Sequence, residues 1–407
     1  MLVNAPRRLS LVLSDLTKRQ PPGTSSDSFS INFQLRSQRK LLNLSPPPPA
    51  KMLVADPSFL LLLLFSLLTP PSVHSTPPPP SPPYLSPAIF AADYDDMVGN
   101  FRIFVYDARR TYKFKSEAES LFLASLLGSP FVTEKPSEAH LFFVPFDGDL
   151  SERSVARVVR DLRADLPYWN RTLGADHFYA SCDGIGSGSD RNLVELKKNS
   201  VQMSCFPASD GGFVPHKDLA LPPAGIIPAG EGEPRASPSN GPAEHLAYAR
   251  LGAIKDPGLA HGLTGDPDFL IEPEPSDRET VARRLATSEF CLFDYGGDVS
   301  GIGDAMRFGC VPVVITDRPI QDLPLIDVLR WQEMAVFVGS GGGAEGVKRT
   351  LRGLTRERVE RMRGSCVAAS RHLAWNQSPQ PLDAFHMVVY QLWLRRHTIR
   401  YAQREWT

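Results

Sequence analysis

The chain has 407 residues and a formal net charge of −1, with 44 Lys and Arg against 45 Asp and Glu. That length allows two domains with buried cores, and that balance argues against a nucleic-acid surface or a polyanionic partner. Its five cysteines (Cys182, Cys205, Cys291, Cys310 and Cys366) show no CxxC spacing, which argues against a structural zinc site. In an oxidising compartment one or two disulfides could form. Cys182 with Cys205 and Cys291 with Cys310 are nearest in sequence, but sequence alone does not set the pairing.

Residues 1–51 form a polar tail with eight Lys or Arg against Asp15 and Asp27. In residues 52–70 lies the run PSFLLLLLFSLLTP, whose apolar part, 59–68, is about half of the roughly 20 residues a spanning helix needs. Two readings stand. One is a signal-anchor with a basic cytosolic tail; the other is a signal peptide, with translation from Met52. Both put residues 90–407 in the secretory lumen. Proline runs at 46–49, 70–71, 77–80 and 82–83 all fall before residue 90, so 71–92 reads as an extended, disordered stem, and folding begins near Ala91.

The pattern then alternates. Strands are predicted at 100–107, 140–146, 176–184 and 201–206, and helices at 116–127 and 151–166, the second ended by Pro167. Together with the LPP at 221–223 they make a first domain over 93–223. Residues 224–244 are rich in Gly, Pro and Ala and read as a linker. A second domain over 245–401 has strands at 245–252, 290–295, 311–316 and 335–338. Its helices fall at 278–285, 302–308, 345–354, 356–373 and 382–400. The fold class is α/β, doubly wound.

The stretch SEFCLFDYGGDVSGIGDAMRFGCVPVVITD, 288–317, carries the chemistry. Strand, glycine-rich turn, short helix and strand bind nucleotides at the carboxyl ends of their strands. Gly296 and Gly297 would let backbone approach a diphosphate, and Asp304 could reach a ribose diol. The alternative is a turn that binds nothing, with Asp304 complementing a helix dipole. No DxD-like pair stands beside the loop, so this reading needs no metal.

Four blocks in order carry a family resemblance: PYWNRTLGADHFYASCDG, KNSVQMSCF with GGFVPHKDLALPP, the stretch at 288–317, and PLDAFHMVVYQLWLRRHTIRY. Together they resemble the plant exostosin-family glycosyltransferases. The resemblance implies two Rossmann-like domains facing a cleft (GT-B) and a type II Golgi membrane protein with a lumenal catalytic domain. It also implies transfer of a sugar from a nucleotide-sugar, uridine-linked, to a cell-wall polysaccharide or a glycoprotein glycan. The nucleotide-sugar is substrate, and no cofactor is implied. Where family members carry an Arg three residues before the acidic position, this chain has Gly301. That departure motivates the alternative of a catalytically inactive partner subunit in a glycosyltransferase complex.

On this reading the donor is held by Ser288, Gly296, Gly297, Asp298, Ser300, Asp304 and Arg307 of the second domain. Ser288 and Ser300 could donate to phosphate or cap helices, and Arg307 could be a phosphate contact or a solvated helix-face cation. Asp183, after a first-domain strand, is the candidate base for the acceptor hydroxyl, or else the cap of the turn that follows. Asn170-Arg171-Thr172 is an N-glycosylation sequon if the domain is lumenal.

Overall fold

In the first half, continuous apolar runs such as Leu-Phe-Phe form strands buried on both faces, as parallel sheets require. Strands β1 (Ile103–Val105), β2 (Leu141–Phe143), β3 (His177–Ala180), β4 (Val201–Cys205) and β5 (Leu219–Leu221) make an all-parallel sheet in that order. In the second half β6 (His245–Arg250), β7 (Phe269–Glu272), β8 (Ser288–Asp294), β9 (Val311–Ile315) and β10 (Val336–Val338) make another, ordered β10-β9-β8-β6-β7. This computed structural model describes residues 83–208, 212–230, 243–273 and 277–402, all within one unit, Thr76–Thr407. The tail, the apolar run at 59–68, most of the stem and the middle of the linker lie outside the described residues. Among the described residues no helix is long and apolar enough to cross a membrane.

The first half carries helices α1 (Pro87–Asn100), α2 (Glu117–Leu127), α3 (Glu152–Asp165), α4 (Tyr168–Thr172) and α5 (Arg191–Asn199). The second carries α6 (Pro257–Leu263), α7 (Arg278–Thr287), α8 (Ile302–Arg307), α9 (Gly343–Arg352), α10 (Arg356–Ser370) and α11 (Ala384–Ala402). Local signals set several starts. Ser116 and Glu119 form a reciprocal capping box on α2, and Ser151 caps α3. Disulfides join Cys182 to Cys205, beyond β3 and at the end of β4, and Cys291 of β8 to Cys310 before β9. Cys366 is free and wholly buried, and burial pushes its thiol pKa up.

Two sequence boundaries shift. Helix α1 starts at Pro87, inside the predicted stem, because proline suits a first helical turn and Phe90, Tyr94 and Met97 bury one face. The last helix, assigned to the second domain, returns to the first half. Phe385 packs on Phe122 and Phe131, and Trp393 meets Phe101 edge-on. Arg395 donates to the carbonyls of Lys217 and Asp218. Periodicity announces that helix but not which half receives its apolar face. Strand β5 and helix α5 were not foreseen; β5 is only three residues long.

Candidate functional site in the cleft between the halves

Strands β8 and β9 end side by side, with Asp294 opposite Ile315. Beyond those ends opens a cavity of about 580 Å³. Asp294, Tyr295 and Gly296 line it from the end of β8 onward, and Thr316, Asp317 and Arg318 after β9. Lys255 and Ser340 stand beside them, and Pro207 and Ala208 close it from the first half. This is the carboxyl edge of a parallel sheet, where α/β folds receive ligands.

Its carboxylates hold backbone. Asp294 accepts from the N–H groups of Lys255 and Asp256 at 2.9 and 3.0 Å. Asp317 accepts from the Ser340 hydroxyl, from the Ser340 N–H at 2.7 Å and from the Gly341 N–H at 3.4 Å. The Ser340 hydroxyl bond is the main reason its pKa lies below the usual carboxylate range. The cations face the opening. Gly296 has φ +103°, which glycine adopts without strain, and a Cβ there would make only ordinary contact, 3.6 Å, with the Lys255 side chain, so the backbone conformation is what calls for glycine. The Arg318 guanidinium lies over the Tyr295 ring, 4.2 Å from its centroid, and donates to the Ala208 carbonyl at 3.2 Å. Buried Asp322 accepts from the Ala208 N–H at 2.7 Å and from the Tyr295 hydroxyl. Both backbone groups of Ala208 are thus held by the second half, which fixes that wall of the cavity.

The predicted site residues divide. Gly296 lines the cavity, and Gly297 packs under it; a Cβ on Gly297 would come within 2.6 Å of the Ala253 carbonyl oxygen. Asp298 pairs with Arg250 at 2.9 Å, and Ser300 accepts from the same guanidinium at 3.3 Å. Ser288, Asp304 and Arg307 are not brought to the cavity. Ser288 starts β8, at the edge of the sheet away from the cavity, and its buried hydroxyl has no hydrogen-bond partner. Asp304 is 4% exposed, and its carboxylate accepts from the Ile226 and Ile227 N–H groups at 2.7 and 3.2 Å. Burial raises its pKa against those two bonds. Arg307 donates to the Pro228 carbonyl at 3.0 Å. These two charges therefore hold the start of the linker. Asp183 lies beyond β3, exposed and paired with Lys115 at 2.7 Å, and is not among the cavity residues.

Sequence reasoning missed Lys255, Tyr295, Asp317 and Ser340. Arg318 was likewise not among the residues placed in the site. The usable signal was the ends of adjacent parallel strands, since Asp294 closes β8 and Asp317 lies just beyond β9.

The Exostosin GT47 domain matches residues 97–353. The chain belongs to that family of glycosyltransferases. It is 27% identical over 346 residues to a probable glycosyltransferase of Arabidopsis thaliana, covering 78% of this chain and 73% of the relative. It is 24% identical over 350 residues to a probable β-1,4-xylosyltransferase of the same plant, covering 72% and 82%. Among solved structures, the calicheamicin glycosyltransferase CalG4 superposes with a TM-score of 0.29 at 12% identity, over 66% of this chain and 94% of that one.

Proposed function

We propose that the cleft binds a nucleotide-sugar, uridine-linked, and that the chain passes its sugar to a cell-wall polysaccharide or a glycoprotein glycan. The observation that carries this reading is the cavity at the ends of β8 and β9, where Lys255, Arg318 and the glycine turn at Gly296 converge. A diphosphate leaving group develops negative charge, and two cations with an unhindered backbone turn are suited to hold it. In the transfer the acceptor oxygen bonds to the anomeric carbon as that carbon's bond to the diphosphate breaks. The nucleoside diphosphate departs, and the acceptor proton passes to a carboxylate, for which Asp183 is the proposed base.

The proposed setting is the Golgi membrane, with a signal-anchor and a lumenal domain. The apolar run at 59–68 supports it, as do two disulfides, which persist in oxidising compartments. A second reading, an inactive partner subunit, is favoured by one observation: Asp304 and Arg307 are engaged with the linker rather than open to a ligand.

Calorimetry with UDP and release of nucleoside diphosphate from a panel of nucleotide-sugars test the proposal. Micromolar UDP binding with turnover of one donor is the expected result. Folded protein without UDP affinity up to millimolar concentration would leave the partner reading standing. Asp183→Asn should lower turnover by about 10²-fold or more with UDP affinity unchanged.

A further inference from the structure

Gly301 caps α8 with φ −83° and ψ 3°, backbone that any residue adopts, so its conformation does not explain a glycine. Its neighbours do. A Cβ there would lie 3.2 Å from the Ile226 Cδ1 and 3.5 Å from an Arg250 guanidinium nitrogen. Arg250 ends β6 and is 7% exposed. Its side chain passes through the space a larger residue would fill and reaches Asp298 at 2.9 Å and Ser300 at 3.3 Å. Asp298 in turn accepts from the Ser300 N–H at 2.9 Å, and its own N–H donates to the Gly252 carbonyl at 2.8 Å. Burial alone would raise the Asp298 pKa, but its bonds from Ser300 and the Arg250 charge outweigh that and hold it below the usual range.

We propose that Arg250 is a positioning residue for donor binding, acting through Asp298 and Ser300. It fastens the second part of the glycine-rich loop to the end of β6, which sets how Gly296 and Lys255 face the diphosphate. Gly301 is the residue that makes room for it. One nitrogen of the Arg250 guanidinium meets both acceptors, and the planar group fixes that nitrogen's two N–H directions, which a freely rotating ammonium on a flexible stem does poorly. The inference rests on the nucleotide reading of the cleft.

The test compares wild type, Arg250→Ala, Asp298→Asn and the double variant Arg250→Ala/Gly301→Arg in the full chain. UDP titration, hydrogen exchange at the Ser300 amide, and donor and acceptor KM are measured. Arg250→Ala should weaken UDP binding by at least about tenfold and speed exchange at Ser300. Donor KM should rise while acceptor KM stays. Asp298→Asn keeps the volume and removes the ion pair, so it should shift the same readings by less even if Arg250→Ala fails to fold. In the double variant a guanidinium rooted at position 301 lies close enough to meet Asp298 again, and should restore most of the lost affinity. A residue that merely fills space would not be rescued in this way.

UDP affinity unchanged in a folded Arg250→Ala protein overturns the proposal, and so does a double variant no better than the single one. If wild type itself binds no UDP, the nucleotide reading falls separately. Exchange at Ser300 then decides alone, and equal rates in wild type and Arg250→Ala overturn the ordering role.

Discussion

The loop and short helix between β8 and β9 have two unlike flanks. At one end Gly296 faces the cavity beside Lys255. At the other, Asp304 and Arg307 are 4% and 8% exposed and bind the linker backbone at Ile226, Ile227 and Pro228. Both flanks carry charge and glycine at similar density in the sequence. Only one meets open space. A charged residue in a nucleotide-binding pattern can thus be spent on holding the chain that crosses in front of it, because buried N–H and C=O groups must find partners.

Breaking the closed flank should have the largest effect. Asp304→Ala leaves the Ile226 and Ile227 N–H groups, the second buried, without their acceptor and should lower stability by about 3 kcal/mol, read in denaturant melts. UDP affinity per folded molecule should hold. An equal loss of UDP binding in a folded Asp304→Ala protein would erase the contrast between the flanks. Arg307→Met should cost less, about 1–2 kcal/mol, since it removes the charged hydrogen bond to Pro228 but keeps much of the apolar stem.

On the open flank the expected pattern is reversed. Lys255→Ala should leave the melt unchanged and weaken UDP on the order of tenfold, with the difference shrinking as salt is raised. A Lys255→Ala protein that binds UDP like wild type, while Asp304→Ala does not, would move the donor to the other end of the loop.

The smallest effect is in pH. Asp304 has a folded-state pKa raised by burial, so its contribution to stability is fully present below its unfolded pKa and is lost as pH rises through the folded value. Asp304→Asn removes that titration. The melting difference between wild type and Asp304→Asn should therefore shift in favour of wild type as pH falls from about 7 to about 4. A difference independent of pH would mean that Asp304 is not held in a desolvated environment.

Much of the frame was legible. Continuous apolar runs at 140–146 and 311–316 announced buried parallel strands, and periodicity announced the helices that begin after Ser116 and Ser151, because those signals act within a few residues. The candidate site was only half legible. Gly296 and Gly297 were readable from the turn they make, but Arg318 enters through a stacking contact with Tyr295 and a bond to Ala208, more than a hundred residues away. Nothing local encodes such a pairing. The same holds for Arg250, which explains Gly301 only once β6 is laid beside β8.

By itself the sequence determined the α/β alternation, the order of elements, the glycine-rich turn and the family to which the chain belongs. Those follow from short-range periodicity, from turn chemistry and from motifs in a fixed order. Tertiary structure decided which charges face the cleft, which hold the linker, and which half receives the last helix. Those outcomes depend on where desolvated polar groups and apolar faces find partners, and the partners are set by how the two sheets come together.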